Sequence, residues 1–411
     1  MEQYLFDTLP DGPFSKLRKL VSGITPKLSL LDMSIGEPKH PFPSFVNQII
    51  VDNMAGFGKY PAALGIEPLL NANANWLNNR FDLNNKIVKD QHISVLNGTR
   101  EGLFNAALLA IKSNPTVKPL IAIPDPFYQV YAAAAMAGQA DILFMPTPQS
   151  AGFLPVLEHI SDADWQRMAV FYICSPANPQ GVFADEAYYK KLIALARKHN
   201  FFIFSDECYS EIYSDEAPIS ALQVALNEGE FKNVISFFSL SKRSSLPGLR
   251  SGFCAGDKNF IARFKMMRNI AGAQVPLPLQ HVAAAAWSDE THVIDNRNKY
   301  NQKFDLVDKI LGTMFGYTRP KGGFFLWLDM AEHGGGIKAA QDLWAYCGIK
   351  SLPGAYLSNL AAEDDADQTY ADPKNETASR YLRLALVGSL SDTEEALNRI
   401  VKYYSTVEGA S

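Results

Sequence analysis

The chain has 411 residues, with 38 Lys and Arg against 43 Asp and Glu, 47% hydrophobic residues and 11% aromatic residues. This composition excludes an intrinsically disordered protein, and the length predicts two or three structural units. The net charge of −5 disfavours a surface built to bind nucleic acid or anionic lipid. We therefore expect small molecules or other protein chains as partners, with no nucleic acid and no membrane.

The sequence shows no targeting, membrane-spanning or metal-binding pattern. The longest nearly uninterrupted apolar stretch, residues 131–138, is far shorter than the roughly 20 residues that a transmembrane helix needs. The acidic start with its Pro-Asp-Gly turn differs from a secretory signal, so a cytoplasmic protein is expected. The four cysteines form no CxxC pair and the seven histidines form no HExxH motif, so neither disulfides nor a metal site is predicted.

Taken in chain order, the predicted elements begin with a segment rich in proline and glycine, residues 1–44, interpreted as an N-terminal arm. From about residue 90 to 257, short apolar runs of β-forming residues alternate with helical patterns. This alternation is typical of an α/β domain with a mostly parallel sheet covered on both faces. The predicted strands are 93–96, 120–123, 142–145, 170–173, 201–205, 234–238 and 252–255.

After Pro278 the pattern changes to a long helical stretch, 281–314, a strand at 323–329 and a further α+β segment ending near Tyr404. The polar tract 361–378 has the composition of a mobile surface insertion. We predict three parts, which are an arm with part of the small domain (1–44), a large domain (45–280) and a small C-terminal domain (281–411).

Polar residues follow several of the predicted strands directly. Ligands of doubly wound sheets bind at the carboxyl ends of the strands, so these residues are candidates for a site. They are the segments 97–100, 125–128, 175–179, 206–209 and 239–242.

The segment from Ser239 to Arg250 carries the strongest chemical signal. A lysine that leaves a buried strand, such as Lys242, has its pKa lowered by desolvation and can form a Schiff base with an aldehyde. Ser239 and Arg250 add a hydroxyl and a guanidinium that suit phosphate. For this segment alone, a surface lysine beside a Pro-Gly turn is an equally good interpretation.

The pattern S-x-S-K-x4-P-G-L-R-x-G resembles the cofactor-lysine motif of class I aminotransferases, which are fold-type I enzymes that use pyridoxal 5′-phosphate. Further motifs follow in that family's order over nearly the whole chain. The resemblance implies a large domain with a mostly parallel seven-stranded sheet and a smaller α+β domain. It also implies that Lys242 holds the cofactor and moves the substrate's α-proton, and that Asp206 pairs with the ring nitrogen.

The same resemblance implies further contacts to the cofactor. Tyr209 and Asn178 would donate hydrogen bonds to its phenolic oxygen, and Tyr128 would stack over the ring. The backbone from Gly98 to Arg100 and the Thr99 hydroxyl would bind the phosphate at a helix N-terminus. The predicted cofactor-binding residues are Gly98, Thr99, Arg100, Tyr128, Asn178, Asp206, Tyr209, Ser239, Lys242, Arg250 and Tyr60, and the predicted catalytic residues are Lys242, Asp206 and Tyr209.

Tyr60 matches a tyrosine that reaches across a dimer interface to the partner's cofactor, so the resemblance implies a homodimer with shared active sites. A buried structural tyrosine is the alternative. For the substrate, Arg383 would bind the α-carboxylate with bidentate geometry, Arg380 being the rival, and Gly36 and Asn178 would contact the substrate. Glycine at position 36 lacks a Cβ and so permits close approach.

These residues imply a ping-pong transfer of an amino group between an amino acid and a 2-oxo acid. Segments such as SIGEPKHPFP and SKRSSLPGLRSGF most resemble the succinyldiaminopimelate aminotransferases of bacterial lysine biosynthesis. That implies glutamate with 2-oxoglutarate as one substrate pair and N-succinyl-diaminopimelate as the other amino donor. Lys39, Arg100 and Arg243 are candidates to bind the distal carboxylates.

Three alternatives remain open. A sister aminotransferase with aspartate, aromatic or alanine donors would keep every cofactor residue, and so would a fold-type I lyase acting at Cβ. A cofactor-dependent regulator is disfavoured, because the aminotransferase pattern begins within about 35 residues of Met1 and leaves little room for a DNA-binding domain.

Overall fold

The computed structural model describes residues 11–111, 117–359 and 378–408. The predicted surface tract 361–378 therefore lies outside the described residues, apart from Ala378. The strands are β1 Leu31–Asp32, β2 Ile93–Leu96, β3 Leu120–Asp125, β4 Asp141–Pro146, β5 Met168–Cys174, β6 Phe202–Asp206, β7 Val234–Ser239, β8 Gly252–Gly256, β9 Phe325–Asp329, β10 Ile349–Lys350, β11 Leu352–Pro353 and β12 Tyr381–Ala385.

Fifteen α-helices accompany these strands in the described ranges. None of them combines the length and the apolar character that a bilayer-spanning helix requires. They are α1 Pro13–Leu20, α2 Phe45–Asn53, α3 Glu67–Arg80, α4 Lys89–His92, α5 Thr99–Ala110, α6 Gln129–Ala137, α7 Asp162–Arg167, α8 Glu186–His199, α9 Ala221–Asn227, α10 Leu240–Arg243, α11 Lys258–Ala271, α12 Leu277–Ser288, α13 Thr291–Leu311, α14 Gly335–Cys347 and α15 Leu390–Glu408.

A seven-stranded sheet forms the centre of the molecule, in the order β2-β8-β7-β6-β5-β3-β4. Strand β8 runs antiparallel to both neighbours, and the other neighbouring pairs are parallel. Neighbouring residues of β6 belong to different cores, since Ile203 packs in one apolar cluster and Phe204 in another. Burial on both faces explains why the strands are continuous apolar runs. The predicted α/β fold and all seven predicted strands are confirmed.

The helical stretch predicted over 281–314 is helical over most of its length, but it is divided into two helices. The chain forms α12 and α13 instead, and Asp289 between them has extended backbone, with φ −107° and ψ 126°. The Asp289 carboxylate accepts a hydrogen bond from the backbone N–H of His292 at 3.1 Å, which satisfies a free donor in the first turn of α13. This is the capping role that aspartate favours over a helix interior.

The C-terminal part contains an antiparallel three-stranded sheet, in the order β11-β12-β9. This sheet shares an apolar core with α13, α14 and α15. Leu326 and Leu382 from the sheet and Leu397 from α15 are members of that core. Strand β1 pairs in parallel with β10, and the neighbouring Met33 lies in the same core. The chain that follows α1 therefore packs with the C-terminal elements. The domain boundaries at 44 and 280 stay a prediction.

Candidate active site

One cavity of about 570 Å³ lies at the carboxyl ends of the parallel strands. The sequence-predicted site residues line it, with the exception of Gly98 and Tyr60. Those that line it are Gly36, Thr99, Arg100, Tyr128, Asn178, Asp206, Tyr209, Ser239, Lys242, Arg250 and Arg383.

Lys242 lies on the one-turn helix α10, directly after strand β7. Ser239 caps this turn, since its Oγ accepts a hydrogen bond from the backbone N–H of Ser241 at 3.1 Å. The Lys242 Nζ donates to the carbonyl oxygen of Gly36. Burial lowers the pKa of Lys242 to about 8, so the neutral minority of its amine near physiological pH is far larger than in an ordinary lysine.

Asp206 ends strand β6 and is buried. Its Oδ2 accepts a hydrogen bond from the hydroxyl of Tyr131 at 2.7 Å. Burial raises the pKa of Asp206, and the bonds from Cys208 and Tyr131 act in the opposite direction. Among the described residues no cation forms an ion pair with this carboxylate, so it lies ready for a positively charged ligand atom.

Tyr131 is a functional neighbour that the sequence reasoning missed. It stands three residues after Tyr128, which is one helical turn, and the two rings meet edge to face at 5.7 Å. The helical spacing from a predicted ring-stacking residue was the available signal.

Arg383 lies in the middle of strand β12 and is 4% exposed. Its guanidinium donates to Asn178 Oδ1 at 3.2 Å and to the Ser34 carbonyl oxygen at 2.8 Å. Burial lowers the pKa of Arg383 to about 10. In the described parts of the chain no carboxylate pairs with Arg383, so its guanidinium is available to bind the carboxylate of a ligand. The rival Arg380 instead pairs with Asp329, with Nε 2.9 Å from Oδ1.

Gly98, Thr99 and Arg250 meet at the N-terminus of α5. Gly98 has φ +79°, and a Cβ at this position would lie 2.2 Å from Arg250 Nη2, so only glycine fits. The Thr99 hydroxyl is 3.2 Å from Cys208 Sγ. Free backbone amides, hydroxyls and a guanidinium together form an arrangement suited to phosphate.

Two tyrosines form walls of the cavity. The Tyr128 hydroxyl accepts a hydrogen bond from Arg100 Nε, and the Arg100 guanidinium lies 5.7 Å from the ring centroid. Tyr209 is 7% exposed, and Lys242 Nζ lies 6.0 Å from its ring centroid. A flat aromatic ligand therefore has both a stacking surface and a hydroxyl at hand.

Gly36 is required by packing, because a Cβ there would lie 2.6 Å from Phe325 Cζ. Tyr60, in contrast, is 99% exposed and lies outside the cavity of its own chain. The alternative of a buried structural tyrosine at position 60 is wrong.

The structure separates the three candidates for binding a distal carboxylate. Arg243 is buried, donates to the Ala286 carbonyl oxygen at 2.6 Å and pairs with Glu290, so the prediction for Arg243 is wrong. Lys39 lines a different cavity. Arg100 is the one of the three that lines the candidate active site.

The residues present fit pyridoxal 5′-phosphate. A largely desolvated amine suits the aldehyde, a buried carboxylate without a cation suits a protonated ring nitrogen, and the N-terminus of α5 with Arg250 suits the phosphate. Four further lining residues lie in the predicted candidate segments, namely Pro126, Phe127, Cys208 and Ser241. The lining residues that were not predicted are mostly apolar: Pro13, Phe14, Ile35, Glu37, Pro124, Gln129, Tyr131, Cys174, Pro247, Phe325 and Leu357.

Comparison with known proteins identifies similar chains over nearly the full length. The family model "Aminotransferase class I and II" matches residues 29–400. An LL-diaminopimelate aminotransferase of Maridesulfovibrio salexigens is 27% identical, covering 96% of this chain and 97% of the relative. The crystal structure of an aminotransferase from Neisseria meningitidis Z2491 matches with TM-score 0.89 and 35% identity, covering 98% of this chain and 100% of that chain. The aminotransferase AspB from Helicobacter pylori 26695 matches with TM-score 0.86 and 32% identity, covering 96% and 99%.

Proposed function

The chain belongs to the class I and II aminotransferases, which depend on pyridoxal 5′-phosphate, and from this premise we propose that it transfers amino groups between glutamate and N-succinyl-L,L-diaminopimelate. One observation carries the proposal. Asp206 and Arg383 are buried charges of opposite sign, each without an ionic partner among the described residues, and both line the cavity of Lys242. Unpaired buried charges are costly, so these two are best explained as receptors for a cationic ring and an anionic substrate.

The cofactor supplies an aldehyde and an electron-withdrawing ring when it is bound. Asp206 holds the proton on the ring nitrogen, and Tyr131 keeps Asp206 in place through its hydroxyl. Tyr209 and Asn178 donate to the phenolic oxygen of the ring. The backbone of residues 98–100, together with Thr99, Ser239 and Arg250, binds the phosphate.

Arg383 binds the α-carboxylate of the amino acid and so fixes the position of its Cα. The neutral amine of Lys242 takes the α-proton at Nζ, which its pKa of about 8 permits near neutral pH. With the cofactor bound, the same Nζ would then donate this proton to the cofactor carbon that carries the transferred nitrogen. Arg383 binds every carboxylate substrate in turn, so donor and acceptor alternate in one site and the kinetics are ping-pong.

Arg100 binds the distal carboxylate of the substrate in this proposal. It is exposed and lines the cavity through which a long substrate would extend. Apolar side chains of Phe14, Ile35 and Leu357 line the same cavity and suit a neutral succinyl amide better than an ammonium group. Unmodified L,L-diaminopimelate is the second candidate, since the relative in Maridesulfovibrio salexigens is named for it and the exposed Glu37 lines the same cavity.

A second copy of this chain completes the site in our proposal. Tyr60 is almost fully exposed and does not line the cavity of its own chain. A symmetric dimer would bring it to the partner's phosphate group, as the family resemblance implies.

Stopped-flow absorbance of the cofactor-loaded protein tests the substrate directly. The protein is mixed separately with N-succinyl-L,L-diaminopimelate, L,L-diaminopimelate and glutamate, without any oxo acid. We expect rapid, stoichiometric loss of the lysine-bound cofactor band with the succinyl compound and with glutamate. If the band is lost with unmodified diaminopimelate but not with its succinyl form, unmodified L,L-diaminopimelate is the substrate instead. If no donor changes the band, the proposal of transamination is overturned.

Arg100→Met tests the distal contact. The variant should raise the dissociation constant of N-succinyl-L,L-diaminopimelate by about tenfold, the loss expected for one hydrogen bond to a charged group. Norleucine, which has no distal carboxylate, is the control substrate, and Lys39→Met is the matched control variant. Equal effects of Arg100→Met on both substrates would contradict a distal role.

A further inference from the structure

A chain of polar side chains, two of them buried and one half-buried, is hydrogen-bonded to the main chain of Lys242. Lys303 on α13 is 2% exposed and Asn296 on the same helix is 6% exposed. Between them stands His40, whose ring packs on Tyr300 with centroids 4.4 Å apart. His40 is half-buried, and the two buried polar groups on either side of it need hydrogen-bond partners inside the protein.

The hydrogen bonds link Lys303 to His40, His40 to Asn296, and Asn296 to the main chain of Lys242. Lys303 Nζ lies 2.7 Å from His40 Nε2 and donates to the Leu386 carbonyl oxygen at 2.9 Å. His40 Nδ1 lies 2.8 Å from Asn296 Oδ1. Asn296 Nδ2 then donates to the carbonyl oxygen of Lys242 at 3.1 Å.

The protonation states follow from the chemistry of each group. An ammonium group only donates, so His40 Nε2 accepts and its ring proton resides on Nδ1. Burial lowers the pKa of His40 to about 4 and that of Lys303 to about 8, so at pH 7 the imidazole is neutral and the amine is protonated. Asn296 then accepts at Oδ1 and donates at Nδ2, which matches its two neighbours.

The segment 33–40 is held at several points by the groups of the active site. The Lys242 Nζ donates to the Gly36 carbonyl oxygen, and Arg383 donates to the Ser34 carbonyl oxygen at 2.8 Å. His40 ends this segment and connects it, through Asn296, to the main chain of Lys242. Through Lys303 it is also connected to Leu386, which directly follows the strand of Arg383.

We infer that His40, Asn296 and Lys303 are positioning residues that hold the segment 33–40, the main chain of Lys242 and the end of the Arg383 strand in one fixed arrangement. The inference rests on the proposed function, because it concerns the placement of the amine and the guanidinium that the reaction uses. Groups that orient a reactive side chain through its supports act in the same way at metal sites and catalytic sites.

Two variants break the chain of hydrogen bonds at different points. Lys303→Met removes the donor to His40 and Leu386 with little change in volume. His40→Phe keeps a ring to pack on Tyr300 and deletes both hydrogen bonds. Lys309→Met, on an exposed position of the same helix, is the matched control.

The readouts are the pH titration of the bound cofactor's absorbance without substrate, and the dissociation constant and limiting rate of the glutamate half-reaction. We expect both variants to retain stoichiometric cofactor, to shift the spectroscopic midpoint by about half a pH unit or more, and to raise the glutamate dissociation constant about tenfold, as for a lost hydrogen bond to a charged group. Lys309→Met should match the parent protein.

Variants that bind cofactor stoichiometrically and keep the parent's midpoint and dissociation constant would overturn the inference. If Lys303→Met fails to fold, the result for His40→Phe tests the inference, because this variant keeps a ring that packs on Tyr300. Failure of the proposed function is distinguishable, since it would appear in the parent protein as the absence of any reaction with glutamate.

Discussion

At the level of single residues, the candidate site contains two buried charges, Asp206 and Arg383, that form no ion pair with any residue in the described ranges. Asp206 and Arg383 are fixed by neutral donors and acceptors, namely Tyr131, Asn178 and the Ser34 carbonyl group. Such contacts orient a charge without neutralising it, so the charge stays available to a ligand. In the proposed function, binding of the cofactor and the substrate offsets the free energy that folding loses in burying these two groups.

The lowered pKa of Lys242 leads to a prediction about cofactor attachment. Only the neutral amine attacks an aldehyde, so the rate at which apoprotein binds pyridoxal 5′-phosphate covalently should rise with pH and be half-maximal near pH 8. Stopped-flow absorbance over a pH series measures this rate, and Lys242→Ala, which should show no covalent band, is the control. A midpoint near 10.5, the ordinary value for lysine, would contradict the prediction.

Glu207 leads to a prediction about stability and pH. This buried carboxyl accepts hydrogen bonds from Ser236 Oγ at 2.7 Å and from the Ala221 N–H at 3.2 Å, yet burial raises its pKa to about 7. A group whose pKa is higher in the folded than in the unfolded state stabilises the fold at low pH. The contribution is complete below about pH 4.5 and is lost as pH rises through 7.

Urea unfolding between pH 5 and 8 measures the effect, which is on the order of 3 kcal/mol for a shift of this size. Glu207→Gln, which cannot ionise, should show a smaller loss of unfolding free energy over this pH range than the parent. Identical pH profiles for the two proteins would show that Glu207 does not titrate in this range.

At the level of elements, the proposed phosphate-binding end of the site depends on how helix α5 is attached. Arg268 on α11 donates to both carboxylate oxygens of Glu101, at 2.6 and 2.7 Å. Glu101 Oε1 also accepts from the backbone N–H of Asn97 at 2.8 Å. This pair, in which Arg268 is buried and Glu101 is half-buried, therefore fixes the turn from β2 into α5, where Gly98 and Thr99 lie.

Arg268→Met tests whether the pair of Arg268 and Glu101 holds the start of α5 in place. Removing Arg268 leaves the half-buried carboxylate of Glu101 without its cation, and we expect a loss of about 2 kcal/mol in the free energy of unfolding, between the values for exposed and buried pairs. The dissociation constant of the cofactor should rise as well, because the turn loosens. Urea unfolding and cofactor titration measure the two effects, with Arg263→Met on an exposed position of α11 as control. Unchanged cofactor affinity in a destabilised variant would limit the pair to a structural role.

At the scale of the whole molecule, the segment 51–64 exposes apolar side chains that a single chain leaves in water. Val51, Met54, Phe57 and Leu64 are 61%, 57%, 55% and 47% exposed, and Tyr60 lies among them. Contiguous apolar surface of this kind marks protein interfaces, and a two-fold dimer is the commonest arrangement.

We therefore expect the protein to sediment as a dimer and Phe57→Glu to weaken the dimer, because a charge would be buried in the interface. Tyr60→Phe should keep the dimer and raise the cofactor dissociation constant by about tenfold, as for a lost hydrogen bond to phosphate. Analytical ultracentrifugation and cofactor titration give the two results. A monomer with full activity would contradict the prediction that Tyr60 contributes to the cofactor site of a partner chain.

The sequence by itself determined the seven strands of the large sheet and the residues at their carboxyl ends, because burial on both faces makes each strand a continuous apolar run. Lys242 and Asp206 were candidates because they follow such runs, Arg383 because a charge within an apolar strand needs a partner, and the family resemblance supplied the role of each. Their individual roles stay predictions.

The tertiary structure alone decided which charges face the cavity. Arg383 lines it while Arg380 pairs with Asp329, and Arg243 is bound within the core. The contacts of Tyr131 with Asp206 and of His40 with Lys303 join residues 75 and 263 positions apart. No local pattern encodes such contacts, because they depend on how packed elements bring distant segments together.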